Sequence, residues 1–216
     1  LTPDEPVLVC DHVSLWRGDA VIIEELSLEV ASGEVLRLEG ENGCGKTTVL
    51  RLLAGLVEPD EGEVRFRGER LPGADRALAD ALLYIGHRPG VGGALHPDEN
   101  LSVAAAIAGS HNNPDRHREV LIELGLGDRL DLPVAALSAG QRRRVALARL
   151  ALEQRDLWLL DEPLTALDAA GLDWVRERIS EQAARGGTVV FTTHQTLELP
   201  GVEVRTRVLK TPDSLE

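Results

Sequence analysis

Residues Gly40 to Thr48 read Gly-Glu-Asn-Gly-Cys-Gly-Lys-Thr-Thr and fit the pattern G-x-x-x-x-G-K-[ST]. Before them, Glu34–Glu39 (EVLRLE) is a Val- and Leu-containing segment of strand length. After them, Thr47–Leu53 carries Val49, Leu50, Leu52 and Leu53 as the apolar positions of a helix. Strand, glycine loop and helix in this order are the context in which the pattern has a mechanism. Glycine lets the backbone wrap closely around a phosphate and turn its N–H groups inward. The helix start adds partial positive charge at the same point. Gly40, Glu41, Asn42, Gly43, Cys44, Gly45, Lys46, Thr47 and Thr48 are therefore the candidate nucleotide-binding residues. Lys46 is expected to reach the β- and γ-phosphates and the Thr47 hydroxyl to ligate Mg²⁺. Thr48 is expected at the α-phosphate. A glycine-rich turn with no ligand is disfavoured, because Lys46 and Thr47 follow the last glycine directly.

Two later segments extend this reading. Asp156–Leu160 is an apolar run that ends in Asp161-Glu162-Pro163, as a fully buried parallel strand would. Ligands of such sheets bind at the carboxyl ends of the strands. Two carboxylates there suit metal and water chemistry: Asp161 is expected to hold Mg²⁺, and Glu162 to take a proton from an attacking water. Leu137-Ser138-Ala139-Gly140-Gln141 precedes a helical stretch, with Ser138 at the N-cap. A serine hydroxyl, a glycine and a helix start form a second anion site. One chain already has a phosphate loop, so the second site invites a nucleotide held by another subunit.

In this order the three motifs make the chain similar to an ABC-type ATPase subunit along essentially its whole length. Gly40–Thr48 resembles the Walker A loop, Leu137–Gln141 the signature motif and Leu157–Glu162 Walker B. Ala166-Leu167-Asp168 resembles the D-loop, and His194 the switch histidine that closes the strand Thr188–Thr193. The resemblance implies a P-loop NTPase (RecA-like) α/β core with an N-terminal antiparallel β subdomain and an inserted α-helical subdomain. It implies ATP and Mg²⁺ as ligands. It also implies a head-to-tail homodimer, with each ATP held between Ser138, Gly140 and Gln141 of one subunit and the Walker A loop of the other. On that basis His194 contacts the γ-phosphate and Asp168 couples the two sites.

A narrower resemblance rests on Tyr84-Ile85-Gly86-His87-Arg88-Pro89-Gly90, on Leu137 to Leu150 and on Thr192-Thr193-His194-Gln195. These segments are similar to the ATPase subunit of the cytochrome c maturation system, usually described as a haem-exporter ATPase. That likeness implies integral membrane partner subunits, haem-handling maturation components and a place on the cytoplasmic face of the inner membrane. It links hydrolysis to release of a haem-loaded periplasmic chaperone. His87 stands where most ABC subunits have a glutamine, and histidine titrates near neutral pH. Many ABC subunits stack an aromatic residue on adenine near the position of Arg17. Trp16 is adjacent and a guanidinium also stacks, so Trp16 or Arg17 is the expected adenine contact. Ala139 replaces the usual signature glycine.

The net charge of −13 argues against nucleic acid as a partner, since phosphate backbones need basic faces. Arg142–Arg144 is the one basic cluster. It is either a solvated helix face with carboxylate neighbours, or a set of cations near a helix start compensated by an anion, from ATP or a facing carboxylate. No stretch approaches the roughly 18 apolar residues of a membrane helix, and the acidic start Leu1-Thr2-Pro3-Asp4-Glu5 does not read as a leader. Cys10 and Cys44 lack metal or redox spacing and read as free thiols. Cys44 lies in the phosphate loop, so bound nucleotide is expected to shield it from alkylation. His12, His96, His111 and His117 lack ligand spacing and are expected at the surface.

Along the chain, Val7–Leu15 and Val21–Val30 read as strands joined at Gly18-Asp19, with Val64–Arg67 as a third. Leu82–Ile85 reads as a core strand. Helical stretches near Asn100–Ala108 and Arg116–Leu124, punctuated by Pro114 and Gly125, suggest a helical subdomain over 90–137. Residues 1–89 and 138–216 then form the nucleotide-binding core of a single domain over 1–216. Leu172–Ala184 reads as a further helix and Val202–Leu209 as the last segment, with no room for a regulatory C-terminal extension. An ABC ATPase for another substrate is the first alternative. A soluble ABC ATPase is disfavoured by the absence of a coiled-coil insertion or second ATPase domain. A small-molecule kinase would have no need of Ser138–Gln141 or His194.

Overall fold

The computed structural model describes residues 6–110, 112–195 and 197–211. In chain order the strands and helices are β1 (Pro6–Arg17), β2 (Ala20–Ala31), β3 (Val35–Glu39), α1 (Lys46–Leu53), β4 (Glu61–Phe66), β5 (Glu69–Arg70), α2 (Asp75–Ala81), β6 (Leu82–Ile85), α3 (Pro97–Ala108), α4 (Pro114–Glu123), α5 (Ala139–Leu147), α6 (Arg149–Leu152), β7 (Leu157–Leu160), α7 (Ala169–Ala184), β8 (Thr188–Thr192) and β9 (Val204–Val208). They form two sheets. The first is antiparallel, in the order β2-β1-β4-β5, and the second has five strands in the order β6-β7-β8-β3-β9. Every strand pair of the second sheet is parallel.

Alternation along the parallel strands divides the interior in two. Leu157 and Leu159 of β7 face a core that contains Leu36 and Leu38 of β3, Val49, Leu50, Leu52 and Leu53 of α1, and the inner face of the antiparallel sheet. Trp158 and Leu160, one residue out of phase, face a second core with Val189, Phe191, Leu101 of α3, Val120 and Leu121 of α4, and Val175 and Ile179 of α7. A strand buried on both faces reads as an unbroken apolar run, which is why Leu157–Leu160 has no polar residue.

The registers Ile85↔Leu160, Leu160↔Phe191 and Leu38↔Thr192 bring the carboxyl ends of β6, β7, β8 and β3 to one edge. Gly86, Asp161, Thr193 and Gly40 leave the sheet there, at the edge where open parallel sheets bind ligands. The expected elements are present, and α5 begins with Ser138 as its N-cap, in a capping box with Gln141.

The histidines correct one expectation. His12 is exposed and His96 caps α3, but His117 of α4 is only 2% exposed and packs inside. Burial pushes its imidazole below the usual histidine range by penalising the charged form, against an opposing pull from Asp98. His111 lies outside the described residues.

Candidate functional site

The glycine loop is shaped by backbone that other residues resist. Gly45 has φ +93°, and a Cβ there would meet Ile23 Cδ1 at 2.6 Å and Ile22 O at 3.0 Å. Gly40 has φ +147°, and a Cβ there would meet Cys44 Sγ at 2.5 Å and Leu209 O at 2.8 Å. The loop delivers the chain into α1, which has no side-chain cap and no acidic residue in its first turn. Its orphan N–H groups therefore face outward with a net positive end, an arrangement that calls for an anion. Lys46 folds back over the loop, and its Nζ donates to the Gly40 and Glu41 carbonyls, each at 2.8 Å.

The carboxylates stand directly opposite. Thr47 Oγ1 donates to Asp161 Oδ2 at 2.8 Å, and Thr192 Oγ1 donates to Asp161 Oδ1 at 2.9 Å. Thr192 Oγ1 also accepts from the Glu162 N–H at 2.8 Å. Glu162 adopts φ +51°, a left-handed backbone that a residue with a Cβ occupies only when its surroundings impose it. Its Oε1 is buried without a hydrogen-bond partner, and His194 Nε2 stands 3.4 Å away. Arg17, Ile22, Asn42, Gly43, Gly45, Lys46, Thr47, Thr48, His87, Asp161, Glu162 and His194 line one cavity of about 360 Å³. Residues as far apart in sequence as Arg17 and His194 meet there.

Ser138, Gly140, Gln141 and Asp168 lie outside that cavity. Ser138 is exposed, and its Oγ accepts from Gln141 N at 3.2 Å. Asp168 caps α7 by accepting from Gly171 N at 2.9 Å, and Arg144 Nη2 donates to it at 2.5 Å. These two hydrogen bonds, the backbone one first, hold its carboxyl below the usual carboxylate range. Gly140 packs against the same loop, since a Cβ on it would meet Ala166 O at 2.4 Å. The signature-like segment and the D-loop-like segment of one chain therefore form a single surface, away from that chain's own phosphate loop.

The ABC transporter family model matches residues 23–165. The chain is 46% identical over 88% of its length to the cytochrome c biogenesis ATP-binding export protein CcmA of Aromatoleum aromaticum, covering 89% of that protein. It is 44% identical over 87% of its length to the protein of the same name in Haemophilus influenzae, again covering 89% of the relative. The chain belongs to the ABC transporter ATPases, in their CcmA branch. A solved ATP-binding subunit of an ABC transporter superposes with a TM-score of 0.76 at 29% identity, over 87% of this chain and 79% of that one.

As an ABC transporter ATPase the chain binds and hydrolyses ATP, and its geometry revises three details of the sequence reading. Trp16 does not line the cavity: it is 36% exposed, and its backbone N–H donates to Asp60 Oδ2 at 2.7 Å. Arg17 and Ile22 line it instead. Cys44 turns its thiol into the core and is 1% exposed, so its loop position does not make it a nucleotide contact through the side chain. The protein shields Cys44 by itself. Cys10 is equally buried, and burial pushes its thiol up to about 12. Both thiols of the native ABC ATPase are therefore expected to resist a thiol reagent with or without Mg-ATP, and to react on unfolding. Counting labelled thiols before and after denaturant checks this, and rapid native labelling of Cys44 would contradict it.

The third revision concerns Arg142–Arg144, which is not a solvated face. Arg142 donates to the Leu137 carbonyl at 2.7 Å. Arg144 bridges the Leu124 carbonyl and Asp168. Arg143 is 4% exposed. Thr192 and Arg143 have no individual role in the sequence reading, and the structure places both against the site. For Thr192 a clue was present: polar Thr192-Thr193 ends an otherwise apolar strand at the ligand edge.

Proposed function

We propose that two copies of this chain assemble head to tail, with each ATP held between Gly40–Thr48 of one and Ser138, Gly140 and Gln141 of the other. The observation that carries this reading is that the capped start of α5, with Ser138, Gly140 and Gln141, lies outside the cavity that holds Lys46, Thr47 and Glu162 of the same chain. Glu162 Oε1, a carboxylate oxygen with no hydrogen-bond partner and with His194 Nε2 3.4 Å away, is suited to accept a proton from an attacking water. His194 then contacts the γ-phosphate, Lys46 the β- and γ-phosphates, Thr48 the α-phosphate and Arg17 the adenine. His87, at the cavity rim, faces the same phosphate and the membrane partner. Asp168, tied to Arg144, couples one site to the other.

The donor set fits Mg²⁺. Thr47 Oγ1 and an Asp161 carboxylate oxygen stand 2.8 Å apart, and hard oxygens with few protein ligands are what this ion takes beside phosphates. When bound, Mg²⁺ would neutralise charge on the transferred phosphoryl group. Thr47 and Asp161 would hold it, and Thr192 would keep Asp161 in place.

The names of the relatives support cytochrome c biogenesis as the setting. There the ATPase works at the cytoplasmic face of the inner membrane, and drives integral membrane subunits and haem-handling components. No helix among the described residues is long and apolar enough to cross a membrane, and the integral membrane subunits would supply the path. Residues 90–137, within a single domain over 1–216, would be the part that docks on them. Nucleic acid is not a partner. The sandwich is testable in solution. With Mg-ATP the Glu162→Gln chain is expected to double its mass by sedimentation, and adding Ser138→Arg to keep it monomeric. A monomer under all conditions, or a dimer indifferent to Ser138, would contradict the head-to-tail arrangement.

A further inference from the structure

Arg143 is a cation buried at 4% exposure whose side-chain hydrogen bonds, among the described residues, all go to backbone carbonyls. Its guanidinium is spent on backbone carbonyls of two catalytic segments. Nη1 donates to Gly86 O at 2.7 Å and reaches His87 O at 3.5 Å. Nη2 donates to Asp161 O at 2.6 Å and to Glu162 O at 2.8 Å. Nε is buried with no partner. Burial disfavours the charged form of this side chain, and the nearby Asp161 and Glu162 charges restore only part of it. A hydrophobic residue of similar length would avoid that desolvation cost but would leave the Gly86, Asp161 and Glu162 carbonyls without this donor, so the arginine ties these segments together.

The position of these carbonyls is informative. Glu162 is held at φ +51°, and its backbone is fixed from two sides: its N–H by Thr192 Oγ1 and its C=O by Arg143. Gly86 and His87 leave β6 beside it, and His87 lines the same cavity as Glu162. Arg143 sits on α5, two residues past Gln141 at the end of the signature-like segment. A planar fork with fixed donors can span two carbonyl pairs, whereas a lysine ammonium cannot. We propose that Arg143 is a positioning residue for hydrolysis, which locks the left-handed turn at Glu162 and the His87 loop to helix α5 so that the Glu162 carboxylate is aimed at the attacking water. This rests on the proposed role of Glu162.

Arg143→Met and Arg143→Lys, made in the full chain, test it against Glu162→Gln in the same protein. Turnover under saturating Mg-ATP is expected to fall about 10²-fold in both, as misplacing a catalytic group does, while KM for Mg-ATP and the affinity for a fluorescent ATP analogue stay within about threefold. Single-turnover rates complete a double-mutant cycle: in the Glu162→Gln background, either Arg143 change is expected to add little, because the group it aims is already gone. Arg143→Lys keeps a buried cation in place should Arg143→Met fail to fold. An equal fold-loss in both backgrounds, a loss of nucleotide affinity that matches the loss of rate, or wild-type turnover in Arg143→Lys would overturn the proposal. Should Glu162→Gln alone retain turnover, the base assignment falls and this proposal falls with it. An additive cycle beside an inactive Glu162→Gln overturns the role of Arg143 only.

Discussion

Replacing Glu162 with glutamine is expected to lower ATP turnover by about 10²- to 10⁴-fold, the range for loss of a positioned general base, with nucleotide binding retained. The amide keeps the shape of the side chain and the Thr192 and Arg143 contacts of the backbone, which do not involve the carboxylate. What it removes is the basic Oε1, which has no hydrogen-bond partner and stands 3.4 Å from His194 Nε2. Binding survives because the phosphate contacts belong to α1 and the loop before it. Single-turnover hydrolysis beside equilibrium binding of a fluorescent ATP analogue separates the two effects. Wild-type turnover would remove Glu162 from the chemistry and leave His194 or another group to activate water.

Lys46→Ala has the opposite signature. Here the loss is in binding, since Nζ is the cation nearest the glycine loop and exchanges its bonds to the Gly40 and Glu41 carbonyls for phosphate oxygens. A charge-assisted hydrogen bond is worth about 1.5–3 kcal/mol, so affinity should fall roughly 10- to 100-fold. The protein should still fold: Lys46 opens α1, but the helix is held by Val49, Leu50, Leu52 and Leu53, all fully buried. Thermal unfolding with and without Mg-ATP reads this directly. The wild type should gain stability from ligand and Lys46→Ala little or none at the same concentration. Equal stabilisation of both would mean that Lys46 does not meet the phosphates.

The parts of this site that sequence makes legible are those fixed by local physics. The glycine loop needs positive φ at Gly40 and Gly45, so it carries its own mark. The central strands β7 and β8 of the parallel sheet are buried on both faces, so they appear as short apolar runs with carboxylates or threonines at their ends. Ser138 and Gln141 make a capping box that is visible as spacing alone. Short elements held by tertiary contact were harder to find. Helix α2 buries only Leu78 and Ala81, and β5 has just two residues paired to Arg65 and Phe66.

Side-chain direction was the least legible property. Trp16 and Arg17 are neighbours on a strand, and alternation sends them to different sides, but which side meets the nucleotide depends on where the antiparallel sheet docks. Cys44 sits in a phosphate-binding loop yet points into the core. The three arginines of α5 carry a mark of their burial in the sequence. Successive helical residues are about 100° apart, so Arg142, Arg143 and Arg144 cannot share a solvent face, and with Val145, Ala146 and Leu147 all buried the helix has little such face to give.

As half of an ATP-closed pair, this ATPase is proposed to drive a membrane complex in cytochrome c biogenesis. The most direct measurement is to express tagged Glu162→Gln in its native membranes, trap it with Mg-ATP, and identify the proteins and pigment that copurify. Multi-span membrane subunits are expected, together with haem or cytochrome c maturation components, and are expected to be lost when Lys46→Ala is added. Recovery of an unrelated permease would contradict the haem assignment, and recovery of no membrane protein would contradict the claim as a whole.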